Sequence, residues 1–247
     1  MLLAILTDLH SNREAVEAVL EHATAQRADA FAFLGDLVGY GADPGWVVDT
    51  VMAHAARGAF VVMGNHDEAT FQADRPNMAA AAREALNWTR SQLNPAQLAF
   101  LRALPLKRSI GDIELVHANA WSPATWDYIE GSMDAMRSMN ATRAQVTFCG
   151  HMHTPALYHL TMTGKTGSFT PTTDEAIPLS RQRRWLVIPG AVGQPRDGNP
   201  AAAYALYDTD SWELRYFRVP YDAQVAADKI CSAGLPPALA QRLLTGD

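Results

Sequence analysis

Residues 1–38 read MLLAILTDLHSNREAVEAVLEHATAQRADAFAFLGDLV, and the order of patterns in this stretch decides the fold class. Leu2–Leu6 is a short apolar run stopped by Thr7 and Asp8, which is the signature of a buried strand. Ser11 and Glu14 stand at capping-box spacing, and Ala15, Val16, Val19, Leu20 and Ala23 then recur with helical period. A second apolar run over 30–34 ends at Gly35. Strand, helix, strand in this order implies a parallel pair joined by a right-handed crossover.

The pattern then repeats. Asp43 and Pro44 form the N-cap and first-turn pair of a helix to about residue 56, and 60–63 is a third strand ended by Gly64. Helices are expected over 78–93 and 95–104. Residues 106–110 and 113–117 flank Gly111-Asp112, a hairpin signal. Residues 146–149 form another short strand ended by Gly150, and strands over 156–162, 185–188, 203–207 and 214–219 make the second half β-rich. The polar stretch 163–184 reads as a long exposed hairpin or loop. Helices over 223–233 and 237–244 close the chain. With no internal repeat and no linker, residues 1–247 are expected to form one domain, with 221–247 as a C-terminal helical extension.

Composition sets the outer limits. Hydrophobic residues are 48% and charged residues 19% of 247, which excludes a disordered chain and leaves a core that needs no staple. Two cysteines, Cys149 and Cys231, cannot form a disulfide framework, so a reducing cytoplasm is the expected setting. The net charge of −6 argues against a general binder of nucleic-acid polymers or anionic membranes. No apolar run approaches the roughly 18 residues of a membrane span. The apolar start has no basic segment before it, unlike a secretory leader.

Chemistry-bearing residues gather at the strand ends. Five segments share the arrangement: Thr7-Asp8-Leu9-His10, Gly35-Asp36, Gly64-Asn65-His66-Asp67, Val116-His117 and Gly150-His151-Met152-His153. In an open parallel sheet, residues just past the carboxyl ends of strands meet in one crevice, so ligands remote in sequence converge. Mixed imidazole and carboxylate donors suit zinc, iron, manganese, cobalt or nickel, whereas calcium wants an all-oxygen shell. The set is large enough for two ions. Cys149 is one thiol beside it, and no structural thiolate zinc site is expected.

Asp8-x-His10, Gly35-Asp36, Gly64-Asn65-His66-Asp67, the lone His117 and Gly150-His151-x-His153 together resemble the calcineurin-like metallophosphoesterase superfamily. The run Gly193-Gln194-Pro195-Arg196-Asp197-Gly198 resembles a loop of its bacterial and archaeal phosphodiesterase-like branch. The resemblance implies an α/β fold, a four-layer αββα sandwich. It implies Asp8, His10 and His153 as ligands of a first metal, Asp36 as the bridge, and Asn65, His117 and His151 as ligands of a second. His66 would contact substrate and protonate the leaving group, with Asp67 orienting it. Two divalent ions (Mn, Fe, Zn or Co, with Mn foremost) would clamp the entering and leaving oxygens of an in-line displacement and acidify the water between them. The implied activity is hydrolysis of a small phosphodiester, nucleotide or dinucleoside polyphosphate by a metal-bridging hydroxide. The alternatives are a phosphomonoesterase or phosphoprotein phosphatase, or an inert binding protein on the same fold.

The departures narrow this. Ala118 follows the lone histidine where a glycine is frequent, and Ile188-Pro189-Gly190-Ala191 stands where many relatives have Asn-Pro-Gly-Ser. The run from Gly35 to Gly41 lacks the arginine usual in the phosphoprotein branch, and Asp67 replaces its glutamate. Arg196 is a candidate for substrate phosphate, and Tyr40 for the pocket wall or the core. Arg181, Arg183 and Arg184 read as a solvated face. Gly164-Lys165-Thr166 lacks the earlier glycine of a phosphate loop, since that position is His159. His22, His54 and His159 fall on regular elements and read as structural. Trp121 and Trp126 fit either the site rim or the core. Oligomeric state is left open.

Overall fold

The computed structural model describes residues 1–72 and 80–247. In chain order the elements begin β1 (Leu2–Leu6), α1 (Arg13–Ala25), β2 (Ala30–Phe33), α2 (Pro44–Ala56), β3 (Phe60–Val61), α3 (Asn65–Ala69), α4 (Ala80–Gln92) and α5 (Pro95–Ala103). They continue β4 (Lys107–Ile110), β5 (Ile113–Val116), α6 (Ser132–Asn140), β6 (Val146–Phe148), β7 (Ala156–Thr161), β8 (Thr166–Phe169), β9 (Ile177–Pro178) and β10 (Arg183–Ile188). The chain ends with β11 (Ala202–Asp208), β12 (Glu213–Val219), α7 (Ala223–Ser232) and α8 (Pro237–Thr245). Met78 and Ala79, which open the expected 78–93 helix, lie outside the described residues.

Two six-stranded sheets, β3-β2-β1-β11-β12-β9 and β4-β5-β6-β10-β7-β8, pack face to face with helices outside, the αββα arrangement. The first half is parallel, with Leu3 opposite Ala30 and Phe33 opposite Val61. In the second sheet β5, β6 and β10 are parallel. Side-chain alternation assigns the layers. Leu3 and Ile5 of β1 meet Leu115, Phe148, Trp185 and Val187 in the core between the sheets. Ala4 and Leu6 turn the other way, onto Val16 and Val19 of α1 and Val47, Val48 and Val51 of α2. A strand buried on both faces explains why LLAIL has no polar position. Leu186 and Ile188 of β10 pack on Ala135 and Met139 of α6.

The sequence reading needs three corrections. The N-cap of α1 is Asn12, whose Oδ1 accepts from the Ala15 amide, and not Ser11. Ser11 has φ 54° and belongs to the loop that presents His10. The 163–184 stretch does more than loop out. After the Gly164 turn, β8 pairs with β7, and β9 then crosses to pair with β12, so the segment edges both sheets. Its polarity suits edge strands, which keep one side in water. The helix α6, with Ala135, Ser138 and Met139 buried, was not foreseen because its nine residues are mostly polar and its apolar face is short. Among the described residues, no helix is long and apolar enough to cross a membrane.

Candidate metal centre

Five strand ends bring the ligand-type residues together. Asp8 and His10 follow β1, Asp36 follows β2, Asn65 and His66 follow β3, His117 follows β5, and His151 and His153 follow β6. Loop amides lace the ends: Asp8 N–H donates to Gly35 O, His10 N–H to Asp36 O and Gly150 N–H to His117 O, at 3.1, 2.9 and 2.7 Å. Asp8, His10, Asp36, His151 and His153 all have positive φ, between 45° and 68°. Such backbone costs of order 1–3 kcal/mol per residue and persists where the surroundings over-determine it. Here it turns each side chain inward off its strand. Two glycines leave room for this. A Cβ on Gly64 would strike the backbone N and carboxylate of Asp36, and one on Gly150 would strike Thr7 and the Asp8 carboxylate.

The inward atoms form two groups that share one residue. Asp8, His10, Asp36 and His153 could hold one cation, and Asp36, His117 and His151 a second. In the first group His153 Nε2 lies 3.3 Å from Asp8 Oδ1 and 3.2 Å from His10 Nε2. In the second, His117 Nε2 lies 3.1 Å from both His151 Nδ1 and Asn65 Oδ1, which brings Asn65 into the set. Asp36 Oδ2 faces both, at 3.7 Å from His10 Nε2 and 3.4 Å from His117 Nε2. Its Oδ1 accepts the His66 amide at 2.8 Å, so one oxygen rather than two is presented to both groups.

Each imidazole is held from behind by a backbone carbonyl. His10 Nδ1–H donates to Val38 O (3.1 Å), His117 Nδ1–H to Leu34 O (2.7 Å), His153 Nδ1–H to Gln194 O (2.6 Å) and His151 Nε2–H to Trp126 O (3.0 Å). That leaves the opposite nitrogen of each ring aimed into the site, as a lone pair wherever the ring is neutral. The lone pairs of His10 and His153 face one another at 3.2 Å, and His117 Nε2 stands 3.1 Å from His151 Nδ1. Two nitrogens at about 2.1 Å from one cation stand about 3.0–3.4 Å apart at octahedral to tetrahedral angles. The donor set therefore fits a divalent transition metal in each group.

Electrostatics agree. Burial, aided by neighbouring positive charge, pushes His10 and His153 well below the usual imidazole range and His151 down to about 3, so these rings are neutral donors. Burial opposes charge on His117 too, but the Asp36 carboxylate outweighs it and holds the ring at about 9. Burial would raise Asp36, yet the imidazoles of His117, His66 and His10 keep it well below the carboxylate range. Asp8 is raised to about 6, by burial first and by Asp36. Without a cation the site keeps protons in its place. Burial pushes the Cys149 thiol up, which removes it as a thiolate donor.

His66 stands at the edge of this cluster. Its ring is 5.0 Å from that of His10, edge-on, and 4.5 Å from that of Tyr40. Asp67 is fully buried and its carboxylate accepts backbone amides. Oδ1 accepts the amides of Leu37 and Val38, and Oδ2 that of Gly64, at 2.9, 3.3 and 2.9 Å. It pins the Asp36 loop to the Asn65 turn. Arg196 comes to the first group: its Nη2 donates to Gln194 Oε1 at 3.0 Å, and its guanidinium lies 5.8 Å from the Tyr40 ring centre. Trp126 is buried, with its ring 5.8 Å from His117 and its indole N–H on Glu68. Trp121 instead lies under Arg137.

The remaining histidines are structural, His22 on the Tyr204 hydroxyl, His54 against Phe31 and Phe33, and His159 stacked on Phe169. Sequence reading missed Tyr128, whose ring stacks on His151, and the carbonyls that hold the four imidazoles. No side-chain signal marks a carbonyl, and Tyr128 sits in a stretch without periodicity.

The model of the calcineurin-like phosphoesterase superfamily domain matches residues 1–212. The uncharacterized protein MJ0912 of Methanocaldococcus jannaschii is 31% identical over 253 aligned residues, which cover 99% of this chain and 98% of that one. A crystal structure of a metallophosphoesterase from Sphaerobacter thermophilus superposes with a TM-score of 0.88 at 34% identity, over 100% of this chain and 99% of the other. The structure of the hypothetical protein PH1004 from Pyrococcus horikoshii OT3 superposes with a TM-score of 0.78 at 19% identity, over 100% and 98%, which is a likeness of fold.

Proposed function

This chain belongs to the calcineurin-like phosphoesterase superfamily, and on that premise we propose that it is a phosphoric ester hydrolase using two divalent metal ions. The observation that carries the reading is the sharing of Asp36 Oδ2 between two inward-facing donor groups. Asp8, His10, Asp36 and His153 would hold one ion, and Asp36, Asn65, His117 and His151 the other, with manganese the first candidate. Bound there, the pair supplies positive charge to phosphoryl oxygens and lowers the pKa of water.

The chain's own residues do the rest. The four carbonyls fix the imidazoles, so the donors need no rearrangement. His66 donates a proton to the leaving oxygen, and Asp67 positions the turn that carries it. Arg196 draws the substrate phosphate toward the first group. The substrate class is a small phosphodiester, nucleotide or dinucleoside polyphosphate, acted on in the cytoplasm by one domain spanning residues 1–247. The missing arginine after Gly35-Asp36 and the aspartate at 67 speak against phosphoproteins.

The test is a panel of phosphate esters assayed with metal-free protein and each divalent metal in turn. Metal-dependent turnover of small diesters or nucleotides, with a specificity constant above that on phosphoserine or phosphothreonine peptides, is expected. No turnover with manganese, cobalt, zinc or iron overturns the reading, and a preference for phosphopeptides overturns the substrate class.

A further inference from the structure

Tyr128 is the exposed aromatic group at this centre. Its ring lies nearly parallel to that of His151, at 13° with centroids 4.1 Å apart. His151 is 7% exposed beneath it, yet Tyr128 is 47% exposed. A ring with one face covered can reach such exposure only if its other face is open to solvent. The stack sets Tyr128 beside the second donor group, to which His151 belongs. Tyr40 in turn packs on His10 and His66, with Arg196 over its ring. Arg196 and Tyr40 therefore stand beside the first donor group and Tyr128 beside the second.

Tyr128 offers the face not packed on His151 to a ligand bound at the second donor group. Its chemistry suits another planar ring, which stacks with little loss of freedom because Tyr128 is already packed on one side. A phosphate held at the second donor group would lie beside His151, within reach of a ring stacked on Tyr128.

We propose that Tyr128 is the stacking platform for a planar ring on the ester arm, so that the centre selects nucleobase-bearing phosphate esters over purely alkyl ones. This deepens the phosphoesterase reading and rests on it. Tyr128 is a specificity-determining residue here, and the bond broken is unchanged.

The experiment compares two diesters with one leaving group, thymidine 5′-(methyl phosphate) and ethyl methyl phosphate, on the manganese-loaded protein, followed by phosphorus NMR. The wild type should favour the thymidine ester by about 10-fold or more in kcat/KM. Tyr128→Leu should lose about 10-fold on the thymidine ester, mostly in KM, and less than about 2-fold on the ethyl ester, while Tyr128→Phe keeps the preference. Metal content, measured in parallel, should not change. Equal losses on both esters, or loss of metal, would mean that Tyr128 merely shields His151, and the proposal fails. So does a wild type with no preference. Binding of AMP against ethyl phosphate, by calorimetry, decides independently of turnover: Tyr128→Leu should weaken AMP alone. Hydrolysis of neither ester would then count against the phosphoesterase reading, with stacking still judged by the AMP result.

Discussion

His10 Nε2 and His153 Nε2 face each other across 3.2 Å, and the other nitrogen of each ring is already committed to a backbone carbonyl. Neither neutral ring has a proton to place between them. The contact is repulsive unless a cation lies against both lone pairs. Purified protein should therefore hold up to two transition-metal ions per chain by elemental analysis. At about 100-fold excess over its dissociation constant, each ion should add about 2.7 kcal/mol of stability. Chelation should lower the melting midpoint and abolish turnover, while far-UV circular dichroism at 25 °C stays nearly unchanged. Protein that binds none of these metals, even when added, contradicts the assignment.

Metal uptake should release protons, with a definite pH dependence. His117 is held at about 9 and Asp8 at about 6, and both must be unprotonated to ligate. At pH 5–6 the second ion displaces a proton from His117 and the first ion part of one from Asp8, and at pH 8 His117 alone releases one. Affinity should thus rise with pH until about 9. Titration calorimetry in two buffers of different ionisation enthalpy counts the protons. A count of zero at pH 7 would refute the charge state given to His117.

Acid catalysis and metal binding separate by substitution. His66→Ala should keep both ions and slow turnover by roughly 10²–10⁴-fold, about 3–5 kcal/mol of barrier. The loss should be greatest for alkoxide leaving groups, which need a proton, and smaller for nitrophenolate. His117→Ala should lose the second ion and the activity together. An equal His66→Ala deficit across leaving groups, or loss of metal, removes the acid role.

Asp67 should behave unlike a partner of the His66 ring. Its carboxylate accepts three backbone amides from two loops. Asp67→Asn turns an amine toward at least one of those N–H groups and should cost about 2–4 kcal/mol of stability, read from denaturant unfolding of the metal-free protein. Any fall in rate should be uniform across leaving groups. A leaving-group dependence matching that of His66→Ala would instead support the orienting role.

Most of the architecture was legible in one dimension because period and punctuation are local. LLAIL and the 30–34 run must be buried on both sides, and the gap between them is filled by an apolar stripe of helical period, so the parallel start followed. The hairpin at Gly111-Asp112 was readable for the same reason. The 163–184 segment was not, because edge strands carry little hydrophobic alternation and take their pairing from distant β7 and β12.

At the centre, the sequence by itself determined which side chains carry donor atoms and that they stand at strand ends. Residue type and position after an apolar run are properties of the chain alone. The tertiary structure alone decided what those atoms do. The tautomers depend on carbonyls at Val38, Leu34, Gln194 and Trp126, three of them remote by 28 to 83 residues and Trp126 by 25 from its histidine. The reach of one Asp36 oxygen to both groups depends on the His66 amide holding the other. The work of Asp67 and the open face of Tyr128 likewise exist only once loops from different strands meet. A side chain's chemistry is written in its identity, but its protonation, direction and partner are set by neighbours that only folding supplies.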